Sequence, residues 1–291
     1  MNIIQGRLLD AIRIFLVFLG AATFCGAAWA ETVLYVPGAG HLSVASGIIW
    51  QTDIRLFNPG SEAISVALAF LPPGLDNTNA RETTVSVSPS RSLVLADVVS
   101  STFSTSGLGA VRLTSAAQFL ATSETYAVNN PVPVLPGVSG FHSTSLVIPA
   151  VDASMLSPRA MVFTSNSYGQ IESGPAFRLT YSNLGLVNPG TDYIEVAVAL
   201  IDEDTGIAAG SKTLSLPPGG FLQTGDIFSA FGIAASPLAN AIITVSATQA
   251  PLPCACPSVN CCPSAPAPIL AYLTVRGFGP ASTTFSLGQA Y

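Results

Sequence analysis

Residues 56–70 read LFNPGSEAISVALAF, and residues 186–200 read LVNPGTDYIEVAVAL. The likeness continues in the same order on both sides. TVSVSPSRSLVLADVV aligns with TLSLPPGGFLQTGDIF, AVRLTS with AIITVS, and FLATSETYAV with ILAYLTVRGF. Upstream, VLYVPGAG aligns with LVIPAVDA. A period this long exceeds a solenoid unit and suits a whole small domain. The chain is therefore expected to build one fold twice.

The pattern inside each repeat is β. Ile64, Val66, Leu68 and Phe70 alternate with Ser65, Ala67 and Ala69, and Ile194, Val196, Val198 and Leu200 alternate with Glu195, Ala197 and Ala199. Period two is the signature of a strand with one face in a core. Pro and Gly clusters separate the strands. Helix signals are confined to DVVSSTF and DIFSAF, each opening on a residue suited to an N-cap, Asp97 and Asp226. Asn58-Pro59-Gly60 and Asn188-Pro189-Gly190 read as turns, with proline pre-setting the turn and glycine taking positive φ. Asp53 and Asn183 occupy equivalent positions as further turn or lock residues. Trp50, the one tryptophan past residue 30, is expected in the first core.

Short strands punctuated by turns predict an all-β chain of two tandem immunoglobulin-like antiparallel sandwiches. The predicted boundaries are 1–30 for a signal peptide, 31–129 for the first module, 130–143 for a proline-rich linker and 144–291 for the second. Two insertions, 158–176 and 250–268, distinguish the second module. The run W-x-T-D-x-x-L-x-N-P-G from Trp50 to Gly60, then an alternating strand and PPGG, resembles the NPG-type tandem immunoglobulin-like repeats of secreted bacterial proteins of uncharacterised function. That resemblance implies a fold and no catalytic residue. The second repeat departs from the pattern at Thr180, which stands where Trp50 does.

The N-terminus predicts export. Arg7 and Arg13 precede or border the apolar run IFLVFLGAATFCGA, and Ala28-Trp29-Ala30 has small residues at the cleavage positions. The mature chain would begin at Glu31. Only 9% of all residues are charged, against roughly 25% in ordinary soluble proteins. Removing Arg7, Arg13 and Asp10 from ten basic and sixteen acidic residues leaves eight and fifteen, a net of −7. Lys212 is the sole lysine. With no basic patch there is no electrostatic footprint for nucleic acid. No later apolar run approaches a membrane-spanning length, so the mature chain is predicted to have no membrane span.

Chemistry could lie where the repeats differ. Cys254, Cys256, Cys261 and Cys262 all sit in PLPCACPSVNCCPSAPAP. In an exported chain an even set of cysteines suggests disulfides, here Cys254–Cys262 with Cys256–Cys261 or the crossed pairing. A thiolate metal site is the alternative, although C-x-C and C-C spacings depart from the usual zinc pattern and suit Cu(I) better. Asp202, Glu203 and Asp204 form a minor calcium candidate without EF-hand spacing. Otherwise no cofactor is expected.

Catalytic signatures are sparse. His41 and His142 are the only histidines, and neither G-x-S-x-G nor H-E-x-x-H occurs. A cleft with Asp or Glu converging on His41 would raise the enzymatic alternative. The leading expectation is a secreted, non-catalytic structural or adhesion protein of the cell envelope or surface, with a polysaccharide or an envelope protein as partner. A periplasmic accessory protein binding metal or ligand through the cysteine loop comes second. A hydrolase with an unrecognised site comes third.

Overall fold

In the computed structural model of the chain, the described residues are 31–44, 47–128, 145–165, 168–169, 177–178, 180–233, 240–250, 264–277 and 283–291. The predicted signal peptide, Cys254, Cys256, Cys261 and Cys262, His142 and the whole predicted linker lie outside them. Thr32–Tyr291 forms one compact unit that is nearly all β.

The first half contributes β1 (Thr32–Ser43), β2 (Ile49–Phe57), β3 (Ile64–Leu71), β4 (Glu82–Val87), β5 (Ser92–Leu95), β6 (Gly107–Ser115) and β7 (Leu120–Val128). It also holds β8 (Ser145–Pro149), β9 (Val151–Asp152) and one helical turn, α1 (Val98–Ser101). One layer runs β4-β3-β6-β1, the other β5-β2-β7-β8, and all pairings are antiparallel. The long β1 joins the layers. Its early residues pair with β6, and its end pairs with β2 beyond a bulge between Val36 and Ala39.

The second half repeats these connections. Its strands are β10 (Arg159–Ser165), β11 (Tyr168–Gly169), β12 (Phe177–Arg178), β13 (Thr180–Val187), β14 (Ile194–Asp202) and β15 (Ala208–Leu216). They continue as β16 (Phe221–Gln223), β17 (Asn240–Gln249), β18 (Leu270–Gly277) and β19 (Thr283–Leu287), with α2 (Ile227–Ala230) after β16. The layers are β10-β17-β14-β15 and β16-β13-β18-β19, and β11-β12 is a separate ribbon.

Each pair of layers encloses its own core. Ile54, Leu56, Val66, Leu68, Val111 and Leu113 belong to the first. Leu184, Leu186, Val196, Val198, Ile243 and Val245 belong to the second. Of these, Val66, Leu68, Val196 and Val198 are inward positions of the predicted alternation. Trp50 is half-buried and stands outside the first core cluster, contrary to expectation.

Two boundaries change. Ser145–Pro149, assigned from sequence to the start of the second module, pairs with β7 and closes the first sheet. Its counterpart is β19, which pairs with β18 in the same way. The counterpart of β1 is therefore β10, which pairs with β17 as β1 pairs with β6. β10 lies inside the stretch 158–176 read as an insertion, yet Ala160 and Val162 enter the second core.

The two halves are joined by a third core. Tyr35, Ala69, Leu71, Ala110 and Val151 of the first meet Val187, Phe221, Leu270 and Tyr272 of the second. These residues point away from their own sandwich cores. The outer face of β3-β6-β1 thus packs on the outer face of β16-β13-β18-β19. Asn77, in the β3–β4 loop, ties the seam: its Nδ2 donates to the Gly219 carbonyl at 3.0 Å, and its backbone N–H donates to Pro218 at 2.9 Å.

Candidate functional site

The doubled Asn-Pro-Gly motif resolves into a clasp. Asn58 is fully buried, and its Nδ2 donates to the carbonyls of Glu62 (2.7 Å), Val87 (3.0 Å) and Ser88 (3.2 Å). Its Oδ1 accepts from Gly60 N–H at 2.8 Å. Asn188 repeats this with Asp192 (2.8 Å), Leu216 (3.4 Å), Pro217 (2.8 Å) and Gly190 N–H (2.9 Å). A buried amide satisfies backbone groups that the chain reversal would otherwise orphan. Neither glycine has positive φ, contrary to the expectation. A Cβ on Gly60 or Gly190 would instead sit 3.1 or 3.2 Å from the asparagine Oδ1. The left-handed residues are Ser90 (φ 52°) and Gly219 (φ 57°), across the clasp. Asn-Pro-Gly is a structural lock in both halves.

Asp97 and Asp226 occupy equivalent positions and diverge. Asp226 accepts from Ser229 N–H at 2.9 Å and caps α2. Asp97 makes no side-chain cap and sits in the left-handed region at φ 46°. Its carboxylate faces His41 Nδ1, at 2.8 and 3.0 Å from the two oxygens. Asp53 Oδ1 accepts from Asp97 N–H at 2.8 Å and from the Tyr126 hydroxyl at 3.1 Å. Burial, and then the charge and hydrogen bond of Asp53, push the Tyr126 phenol above its ordinary value. Asn183, the counterpart of Asp53, contacts Thr274 Oγ1 at 3.4 Å.

A carboxylate that fixes an imidazole is half of a nucleophile-activating arrangement. The other half is missing: among the described residues, no hydroxyl or thiol hydrogen-bonds the His41 ring. The pair joins the end of β1 to Asp97, the left-handed residue that opens α1.

At Asp202, Oδ1 accepts from Asp204 N–H (2.9 Å) and Thr205 N–H (3.1 Å), the geometry of an Asx turn closing the β14–β15 hairpin. Among the described residues, Asp202, Glu203 and Asp204 do not converge as a metal-ligating group. A concavity between Leu156, Arg159, Ala160, Ala271 and Leu287 has about 20 Å³ of space. That admits a water molecule, and organic ligands need far more.

The remaining feature is a face. On the outside of β5-β2-β7-β8, Phe57 is directly opposite Leu120, and Val147 lies beside Glu124. Leu120 is 64% exposed, Val147 61%, Val94 48% and Phe57 37%. Arg55 approaches Glu124 at 3.7 Å in the middle of this surface. The His41–Asp97–Asp53–Tyr126 cluster lies toward the other end of β2 and β7. Sequence reading missed this face, because single exposed apolar residues in β patterns are ordinary. Only strand order brings these four together.

No protein-family model matches the chain, and no curated protein matches it in sequence. No helix among the described residues is long and apolar enough to cross a membrane.

Proposed function

We propose that this chain is an exported, non-catalytic binding or structural protein of the cell envelope or surface, acting through the outer face of β5-β2-β7-β8. The observation that carries this is the apolar set Phe57, Val94, Leu120 and Val147 gathered on one broad sheet face. Exposed apolar side chains that share one sheet face, here around the Arg55–Glu124 pair, suit a protein interaction surface. The N-terminal apolar segment and the sparse charge support export. The likeness to NPG-type repeats of secreted proteins is in keeping with this role.

The test is binding of the labelled chain from Glu31 onward to envelope fractions of the producing cell. Leu120→Arg and Val147→Arg, both at exposed positions, are expected to abolish binding and leave the melting temperature unchanged. Wild-type binding by both variants would refute the role of this face. The hydrolase alternative rests on the His41–Asp97 pair. A hydrolytic activity lost in His41→Ala and retained in Leu120→Arg would establish it instead.

A further inference from the structure

Strand register makes the two halves comparable residue by residue. Phe57 pairs with Leu120 as Val187 pairs with Leu270, Arg55 with Thr122 as Gly185 with Tyr272, and Glu124 with Val147 as Thr274 with Phe285. The exposed face of the first half is thus the same face that the second half buries in the seam. Leu120 is 64% exposed where Leu270 is 1%. Phe57 is 37% exposed where Val187 is fully buried.

The other side of the seam also has an uncovered counterpart. Leu71 pairs with Ala110 as Ile201 pairs with Ile242, and Ala69 pairs with Arg112 as Ala199 pairs with Thr244. The outer face of β14-β17-β10 therefore corresponds to the outer face of β3-β6-β1. Ala69, Leu71 and Ala110 are buried in the seam. Ala199, Ile201 and Ile242 are only half-buried, and Phe163 beside Ile242 is 56% exposed.

The seam joins unlike faces, so it is heterologous, and among the described residues one face of each kind lies outside it. We infer that a second copy of this chain docks here, seating its β14-β17-β10 face on the β5-β2-β7-β8 face of the first and continuing the intramolecular seam head to tail. This inference rests on the proposed use of that face and names its partner.

Volumes support the match. In the seam, Tyr272 projects against the bulge of β1, where Gly38 leaves 3.1 Å between a built Cβ and the Tyr272 hydroxyl. On the uncovered faces the sizes are exchanged. Phe163 stands where β1 has its bulge, and Thr122 stands where β18 has Tyr272. Phe163 would lie over Thr122, with Arg55 beside it in place of Gly185, so a large residue again faces a smaller one from the opposite side. Heterologous contacts that do not close propagate into filaments, and those that close give rings.

Complementation tests this. Sedimentation of the chain from Glu31 onward, from micromolar to near-millimolar concentration, is expected to show growing oligomers. Leu120→Arg and Phe163→Arg each alter one face at an exposed position, and each is expected to weaken association by roughly tenfold or more. Mixing the two variants is expected to restore a one-to-one dimer and nothing larger, because each retains the face the other lacks. Circular dichroism melting verifies that both fold, with Val147→Arg as a second variant of the first face.

A monomeric wild type at every concentration overturns the inference. So does Phe163→Arg associating like wild type, which signals a symmetric contact between identical faces. Envelope binding lost in Leu120→Arg while wild type stays monomeric would uphold the proposed function and sink the self-docking. Complementation with unimpaired envelope binding by Leu120→Arg would do the reverse.

Discussion

The faces formed by β2 with β7 and by β13 with β18 have the same register and opposite surroundings. One is bare, and the other is sealed under the first half. The substitutions between them follow from that difference. Arg55 at the bare position becomes Gly185 at the sealed one, Thr122 becomes Tyr272, and Ser92 becomes Phe221. Tyr272 is fully buried, lies across Gly185, stacks on Phe285 at 5.6 Å and donates to Gln223 Oε1 at 2.7 Å. A solvated pair of polar side chains and a dry aromatic layer thus sit on one backbone. The inward residues stay mostly apolar, as Ile54 and Leu184 or Val66 and Val196 show, because both halves need a core.

The strongest challenge to this contrast is Gly185→Ala. A Cβ there would overlap the Tyr272 ring. Overpacking a sealed site without room to relax is expected to cost more than about 3 kcal/mol in chemical denaturation. Arg55→Ala, at the matched bare position, is expected within about 0.5 kcal/mol, as for an exposed ion pair. Equal losses would mean that the bare face is covered too.

Leu270→Ala comes next, at about 3 kcal/mol for truncation of a buried leucine. Leu120→Ala is expected below about 0.5 kcal/mol at low protein concentration. A loss for Leu120→Ala that grows with concentration would point to coverage by another copy.

The Asn clasps provide the control, because they do not differ. Asn58→Ala and Asn188→Ala are each expected to cost about 2 kcal/mol, since each strands buried carbonyls. The double variant is expected to lose the sum, given that distant independent sites add. Clearly unequal losses would show that the halves differ in more than their outer faces.

The smallest effect is alkaline. Burial raises Tyr272 and Tyr35 at the seam, and Tyr126 on the bare face is raised as well. A tyrosine in the unfolded chain ionises near 10.0. The folded chain holds these protons to higher pH, so unfolding releases them. The stabilisation is complete below about pH 10 and falls as pH rises beyond it. Ultraviolet titration is expected to show Tyr126 ionising while the chain remains folded. Tyr272 is expected to ionise only with the loss of circular dichroism. Ionisation of all tyrosines before unfolding would contradict a dry seam.

Much of the fold was legible from residues 56–70 and 186–200. Alternation specifies a strand with one buried face, and the repeated order specifies a repeated connection. Register was less accessible. AVRLTS and AIITVS align on Ala110 and Ala241, yet Ala110 lies opposite Leu71 while Ile242 lies opposite Ile201, the counterpart of Leu71. That one-residue slip would turn every side chain to the wrong face. Cross-strand bonding settles it, and these two short segments contain no turn to count from. The same limit hid β10, whose partner β17 is distant in sequence.

The candidate site was less legible still. Asp97 and Asp226 look alike in sequence, and only the nearness of His41 to one of them, 56 residues away, separates ion pair from helix cap. The four apolar residues of the bare face come from four strands.

The sequence alone determined the β pattern, the duplication and the positions of the clasp residues. These are written in the period-two alternation and in the repeated order of the segments, Asn-Pro-Gly among them. The tertiary structure alone decided which outer face is sealed and which is left open. That follows from packing between strands far apart in the chain, where burial depends on what lies opposite and not on what lies next.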